Sequence, residues 1–400
     1  MIVIEILFAA LFCYLALATV YLLVIAIAGR FGKLPVYRMR DLKKKIAVII
    51  PSYKEDHIIV DTAMQAASHD YPRERFSVIV AADKLQPATV AALRAIPVRV
   101  IELDVNMKSR SVNAAMSSII NEDFEIAMIL DADNIMAPGC LEKINDAFQS
   151  GCLAMQCHRT AKNQHTPVAL LDAMSEEINI NLFRRGPAVL GISAAPIGSG
   201  MAFATGLLRE IFSLEHILNN PGEDREIDIQ LMKKRIPMQF IDGAYVYDEK
   251  VASAAVFEKQ RVRWLEAQVH HLKRFFQDDM KDCPKTAVYW NKLYQNILLP
   301  RLLFIMLFGV LFLGLLVQWL TGLRIFTPDP LWWLVLMITY AATLFISIPK
   351  RFYNSKTLKA ILQVPLLMIS MVKAMLKMKS NRKEFLHTEK TFMNDEQIGK

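Results

Sequence analysis

The nine residues IAMILDADN, at positions 126–134, run five apolar side chains straight into two aspartates set one residue apart. A short unbroken apolar run closed by a polar turn has the length of a strand covered on both faces, not that of a helix. Asp131 and Asp133 then stand at the carboxyl end of that strand. Three other runs share the pattern: IAVII at 46–50, FSVIVAA at 76–82 and VRVIEL at 98–103, separated by helix-length stretches. Such alternation predicts an α/β domain with a mostly parallel sheet, in which ligands gather beyond the carboxyl ends of the strands. Weight therefore falls on PSYKED at 51–56, on Asp83 with Lys84, and on Asp131 to Asn134.

That domain occupies residues 46–295, and apolar runs flank it. Residues 2–28 are apolar except for a few positions such as Glu5, longer than the roughly 20 residues that cross the hydrocarbon core. The basic cluster follows this run rather than preceding it, which favours a retained anchor over a signal peptide and puts residues 30–45 in the cytosol. Residues 298–320 and 331–348 form two more candidate spans, joined by a turn with Gly322, Pro328 and Pro330. Residues 360–372 are short for a crossing and basic at both flanks, so an interfacial helix is favoured over a further span. The chain thus divides into an anchor with a basic linker (1–45), the α/β domain (46–295), a membrane hairpin (296–349) and an interfacial or membrane helix with a basic cytosolic tail (350–400).

The composition agrees with a mixed architecture. With 54% hydrophobic residues in 400, the chain is too apolar for a single soluble domain and too charged to lie wholly in lipid. Its net charge of +8 comes largely from cations beside the apolar runs, such as Arg38, Arg40, Lys350 and Lys356, which report topology and anionic lipid. No helix-turn-helix, RNP or zinc-finger pattern accompanies that charge, so nucleic acid is not an expected partner. The five cysteines lack metal-binding spacing and read as reduced and structural.

Two carboxylates at a strand end can hold a hard divalent cation, Mg²⁺ or Mn²⁺, which shares its oxygen ligands with phosphate. Acidic turns also cap helices, so position in the sheet is what favours the metal reading. Neither GxGxxG nor a Walker loop occurs, leaving a diphosphate to be neutralised by the metal and by cations such as Lys108 and Arg263.

Taken in order, PSYKE after the first strand, Asp83, Lys108 with Asn113, DADN, GSGMAF at 198–203, GED at 222–224, QRVRW at 260–264 and LHTEK at 386–390 resemble the family 2 glycosyltransferases, which include cellulose, chitin and hyaluronan synthases. The resemblance implies a GT-A type nucleotide-sugar-binding domain with transmembrane helices at both ends. It implies Pro51, Tyr53, Glu55 and Asp83 near the nucleoside, Lys108, Asp131 and Arg263 at the donor, and Asp133 on the metal. Asp224 would be the catalytic base of an inverting transfer. Gly200, Glu223, Gln260, Arg263 and Trp264 would line the diphosphate and the acceptor entrance. Glu223 stays open as an alternative base, and the GEDRE cluster could instead cap a helix. Processive members show Q-Q-x-R-W, whereas Arg261 takes the second position here, so polymer formation is not carried over.

The expected function is transfer from a nucleotide sugar, with UDP-sugars first, to a saccharide acceptor in polysaccharide or cell-envelope glycan synthesis. The enzyme would sit in a bacterial inner (plasma) membrane with its catalytic domain in the cytosol. Non-processive transfer to a lipid acceptor, a polyprenyl phosphate or a sphingolipid, is the alternative within enzymes, and a catalytically silent membrane scaffold of the same fold the alternative outside them. A transporter is disfavoured, because the spans carry almost no charge and show no repeat.

Overall fold

The computed structural model describes residues 2–220, 222–322 and 326–378; LHTEK lies outside them. Eight strands form one sheet: β1 (Ile46–Tyr53), β2 (Phe76–Asp83), β3 (Arg99–Leu103), β4 (Ile126–Ile129), β5 (Ile135–Met136), β6 (Ala154–Ala161), β7 (Met201–Ala204) and β8 (Met238–Asp248). Their order across the sheet is β3-β2-β1-β4-β7-β6-β8-β5. The four strands legible as apolar runs make one parallel half, with Tyr53 opposite Asp83 and Ile49 opposite Ile129. Beyond β4 the sheet becomes mixed. β7 runs antiparallel to both β4 and β6, β8 is parallel to β6, and β5 closes the edge antiparallel to β8.

Burial on both faces explains why β1 reads as an unbroken apolar run. Ile46, Val48 and Ile50 pack with Ile59, Ala63 and Ile144 on one side; Ala47 and Ile49 pack with Val112, Met116 and Ile227 on the other. Successive side chains point to opposite faces of a strand, so both layers need an apolar partner at every position.

Among the described residues three helices are long and apolar enough to cross a membrane: Ile2–Phe31, Arg301–Thr321 and Pro330–Ser347. They share a core in which Trp333 is fully buried with its ring 5.0 Å from Phe12, and Phe304 stacks on Tyr340 at 5.0 Å. The bundle is fastened to the α/β domain through helix Pro167–Ile180 and the π-helical turn Asn181–Arg185 that follows it. Arg185 Nε donates to Gly29 O at 2.6 Å, and any side chain at Gly29 would overlap Asn181.

Helices Ser355–Ile361 and Val364–Leu376 meet at 45° and could form a fourth span only as a single bent one. Ala360, Leu367, Met371 and Ala374 are buried against the α/β domain, while Leu358, Leu362, Leu366 and Ile369 are exposed. The pair is thus apolar on its outer side as well as its inner one.

Candidate active site

The parallel half of the sheet ends in three left-handed turns. Lys54, Lys84 and Asn106 follow β1, β2 and β3 with φ of 57°, 57° and 55°, a conformation that costs a residue with a side chain about 1 kcal/mol or more and that clusters at ligand sites. Each of the first two is tied to the next strand, Lys54 N donating to Asp83 O at 3.2 Å and Lys84 N to Leu103 O at 3.1 Å. Asp83 is fully buried; its Oδ1 accepts from Val105 N at 3.1 Å, and its Oδ2 has no hydrogen-bond partner. Burial raises its pKa. A buried acceptor left unmatched is costly, and Asp83 stands opposite Tyr53 in the sheet. Pro51 lies on the same strand, opposite Ala81. Glu55 starts the turn beyond it, its carbonyl accepting from Ile58 N and Ile59 N at 3.2 and 3.1 Å.

Beyond β4 the charges converge. Lys108, the first residue of helix Lys108–Ser118, donates from Nζ to Asp131 Oδ1 at 2.6 Å and to Gly198 O at 2.7 Å, and lies 3.1 Å from Glu223 Oε1. Burial disfavours its charge, but Asp131 and Glu223 outweigh that and hold its pKa above the usual lysine value. Gly198 and Gly200 have φ of +90° and +64°, which is why this loop uses glycine on either side of Ser199. Ser199 Oγ accepts from Asp131 N at 2.8 Å and donates to Asn134 Oδ1 at 2.6 Å. Asn134 Nδ2 in turn donates to Asp133 Oδ1 and to Asp248 Oδ1, both at 3.1 Å. Gln156 on β6 braces the loop from below, its Nε2 donating to Ser199 O at 3.0 Å and its Oε1 accepting from Ile197 N at 2.9 Å.

Glu223 and Asp224 open helix Glu223–Lys233, where the positive helix end favours carboxylates. Their surroundings differ. Glu223 is buried, paired with Lys108, and its pKa is raised by burial. Asp224 is partly exposed beside Gly198: a methyl group built there would come 3.8 Å from Asp224 Oδ2. Its Oδ1 accepts from Arg225 N at 2.9 Å.

Gln260, Arg263 and Trp264 share one side of helix Ala254–Arg274 by their spacing of three and four. Arg263 is within electrostatic reach of Glu223, Asp131 and Asp224, although burial lowers its pKa. Gln260 Oε1 is buried without a hydrogen-bond partner. Trp264 is engaged by Arg261, whose guanidinium lies 4.0 Å from its ring centre and 4.3 Å from that of Phe257, and which pairs with Asp172 at 2.7 Å. The arginine that departs from the Q-Q-x-R-W pattern is therefore a buried packing and ion-pairing residue.

The structure thus gathers Lys108, Asp131, Gly200, Glu223, Asp224 and Arg263 around one loop, and sets Pro51, Tyr53, Glu55 and Asp83 along the adjoining strand ends. Sequence reasoning missed Ser199 as a bridge between Asp131 and Asn134, Gln156 under the loop, and the buried group of Arg159, Glu176, Asp248 and Lys250. Ser199 was within reach of inspection, since it stands between two glycines. Among the described residues no group of three or more His, Cys, Asp or Glu side chains could enclose a metal. Asp133, a buried carboxylate beside Asp131, offers the hard oxygens suited to Mg²⁺ or Mn²⁺, ions that take few protein ligands when phosphate supplies the rest.

A family profile described as glycosyltransferase like family 2 matches residues 44–267. A search of curated proteins finds no match. Among solved structures, a mannosyltransferase from Pyrobaculum calidifontis in complex with GDP-Man and Mn²⁺ aligns at 16% identity and a TM-score of 0.55, over 94% of this chain and 97% of that one. A structure of S. aureus TarS 1-349 aligns at 11% identity and a TM-score of 0.41, over 83% and 91%.

Proposed function

We propose a specific reaction on the premise that this chain, through the 44–267 match, belongs to the glycosyltransferase-like family 2 and has a GT-A-like fold. The reaction is inverting transfer of a sugar from a nucleoside diphosphate sugar, with UDP-sugars the expected donors, to an acceptor at the cytosolic face of a bacterial inner membrane. The observation that carries it is the convergence of Lys108 and Arg263 on Asp131, Glu223 and Asp224 beyond β4.

As the anomeric bond breaks, its electron pair stays on the departing diphosphate, and Lys108 and Arg263 are the cations in place to meet that charge. A Mg²⁺ or Mn²⁺ held by Asp133 would neutralise the same phosphates. Asp224 takes the proton of the acceptor hydroxyl while its oxygen bonds to the anomeric carbon from the face opposite the diphosphate, which inverts the centre. Glu223 is less suited to that task because it is already committed to Lys108, 3.1 Å away. Asp83, with its unmatched oxygen, and Tyr53 serve the nucleoside end. The exposed apolar side of helices Ser355–Ile361 and Val364–Leu376 rests on lipid, placing the site close to the membrane surface.

The test is turnover by the full chain in lipid with a panel of UDP- and GDP-sugars, the latter because a protein of the same fold carries GDP-Man. Asp224→Asn is expected to lose about 10² to 10⁴ in rate while donor binding persists, the usual contribution of a general base. Glu223→Gln should lose less. A folded, donor-binding Asp224→Asn variant with wild-type turnover would refute the assignment.

A further inference from the structure

Helix Ala287–Ile297 is separated from the candidate span Arg301–Thr321 only by Leu298 to Pro300. Its polarity is inverted. Asn291, Lys292 and Asn296 are buried, whereas its exposed residues are Ala287, Trp290 and Ile297, with Trp290 58% and Ile297 42% exposed. At about 100° per residue those three fall on one stripe. A helix on the wet surface of a domain turns its apolar stripe to the core and its polar residues outward. This one does the reverse.

The polar side is taken up within the protein. Asn291 Oδ1 accepts from Tyr21 OH at 2.7 Å, and Gln295 Nε2 donates to the same hydroxyl at 3.2 Å. Lys292 Nζ lies 2.9 Å from Asp228 Oδ2 and donates to Ala194 O at 2.8 Å, while Asn296 Oδ1 accepts from Arg225 Nη1 at 3.1 Å. What faces outward continues into the exposed Leu299 and then into Val310 and Leu313 of the span, so whatever surrounds the span also meets this stripe.

The contacts with helix Ile2–Phe31 set the depth. Tyr21 meets Asn291, and one to two turns nearer the amino terminus Tyr14 donates to Ile297 O at 3.2 Å and accepts from Leu299 N at 3.0 Å. A crossing takes about 20 residues, so a span that starts at Ile2 reaches its inner boundary near Tyr21. Tyr14 then lies about 10 Å deeper, at 1.5 Å per residue. The helix therefore slants from the headgroup level at Trp290 into the hydrocarbon at Ile297. Lys281 and Lys285, both exposed, precede it, where cations meet lipid phosphates.

We propose that helix Ala287–Ile297 is embedded in the cytosolic leaflet, with Trp290 at the headgroup boundary and Ile297 among the acyl chains. The inference rests on reading Ile2–Phe31 and Arg301–Thr321 as spans and does not depend on which sugar is transferred. It brings the bilayer up to the helix that carries Asp224, because Arg225 and Asp228 of that helix are the partners of Asn296 and Lys292.

The experiment places the full chain in phosphatidylcholine nanodiscs, with the exposed Cys13 changed to Ser and the four buried cysteines kept. Trp290→Cys, Ile297→Cys and, as the reference for a span, Val310→Cys each carry an NBD fluorophore. The quenchers are a nitroxide on the lipid headgroup, a nitroxide midway along the acyl chain, and iodide in water. The headgroup nitroxide should quench position 290 about twofold, the acyl nitroxide should quench position 297 by about as much, and iodide should leave position 297 bright. The wild-type chain supplies a check that no substitution can spoil: phosphatidylcholine with a diazirine in its acyl chain should cross-link within residues 286–301 on illumination. Response of positions 290 and 297 to iodide alone, protection of both from all three quenchers as a second copy of the chain would give, or a lack of lipid cross-links within 286–301 would overturn the proposal. A position 310 that answers to iodide and to neither nitroxide would instead strike the membrane reading on which the proposal stands.

Discussion

Replacing Lys108 with methionine removes a charge while keeping most of the chain's shape, and the structure sets the size of the effect. Nζ lies 2.6 Å from Asp131, 3.1 Å from Glu223 and 2.7 Å from Gly198 O. Removing one partner of a buried ion pair typically costs about 3–5 kcal/mol, chiefly through the charge left behind. Lys108 and Asp131 are a quarter to a third exposed, at 26% and 30%, whereas Glu223 is 7% exposed. Water therefore compensates Asp131 but hardly Glu223, and a net loss of about 2–3 kcal/mol follows. For a domain of this size that is a drop of about 5 °C in unfolding temperature, read by a thermal melt of the purified protein. Because the cost lies mainly in the stranded Glu223 charge, adding Glu223→Gln to Lys108→Met should restore at least half of the lost stability. Sugar transfer should stay low in the double variant, since the cation proposed to face the diphosphate is gone. A wild-type melt for Lys108→Met, or a double variant that loses the sum of the two single effects, would refute this reasoning.

Asp133→Ala should weaken metal-dependent nucleotide binding and transfer together, because the proposed carboxylate ligand is lost; titrating Mn²⁺ into nucleotide binding checks it, and unchanged metal dependence removes Asp133 from the site. His158 is buried between Asp242 and Glu177, each 3.2 Å away, and although burial opposes its charge these partners hold its pKa up at about 9. A raised pKa contributes stability in full below pH 6.5, the unfolded value, and loses it as pH rises through 9, with a ceiling of about 3 kcal/mol. His158→Gln should flatten the melting profile over that range, and an unchanged slope would assign the loss to another group. Single cysteines replacing Ser355 and Leu376, on a folded cysteine-free background, should both label from the cytosolic side; labelling of position 376 from outside would make the bent helices a span.

The parallel half of the sheet was legible because residues 46–50 of β1 and all of β4 are apolar to satisfy two packed faces, and that demand is local. β6 was not. AMQCHRTA carries Gln156, His158, Arg159 and Thr160 inward to brace the glycine loop and to meet Glu176 and Glu177, so its polar side chains hide the strand. β7 was read only as part of the GSGMAF motif, because its four residues are too few to show a period. Candidate residues on strand ends and motifs could be named in advance, whereas Gln156 could not, because only the fold brings it beneath the loop that holds Ser199, 43 residues away in the chain.

Arg261 shows how a departure from a family's pattern can be read physically. In the second position of QRVRW a longer cation replaces glutamine, and here it is sandwiched between Phe257 and Trp264 while Asp172 neutralises it. Asp172 lies on helix Pro167–Ile180, the same helix that leads into the turn at Asn181 and carries Asn179. Along the same helix Ala254–Arg274, Val262 and Leu265 pack against Met371 and Ala374, whose helix is apolar on its outward side. The helix that carries Arg263 is thus packed between a helix with an apolar outward side and the one that leads into the turn at Asn181. Shifting either neighbour would move Arg263 relative to Asp131 and Asp224, and a displacement of about 1 Å at a reacting centre is enough to cost a hundredfold in rate. The apolar helices are thus tied to the α/β domain close to the candidate site, through Asn181 and the helix Pro167–Ile180 that precedes it.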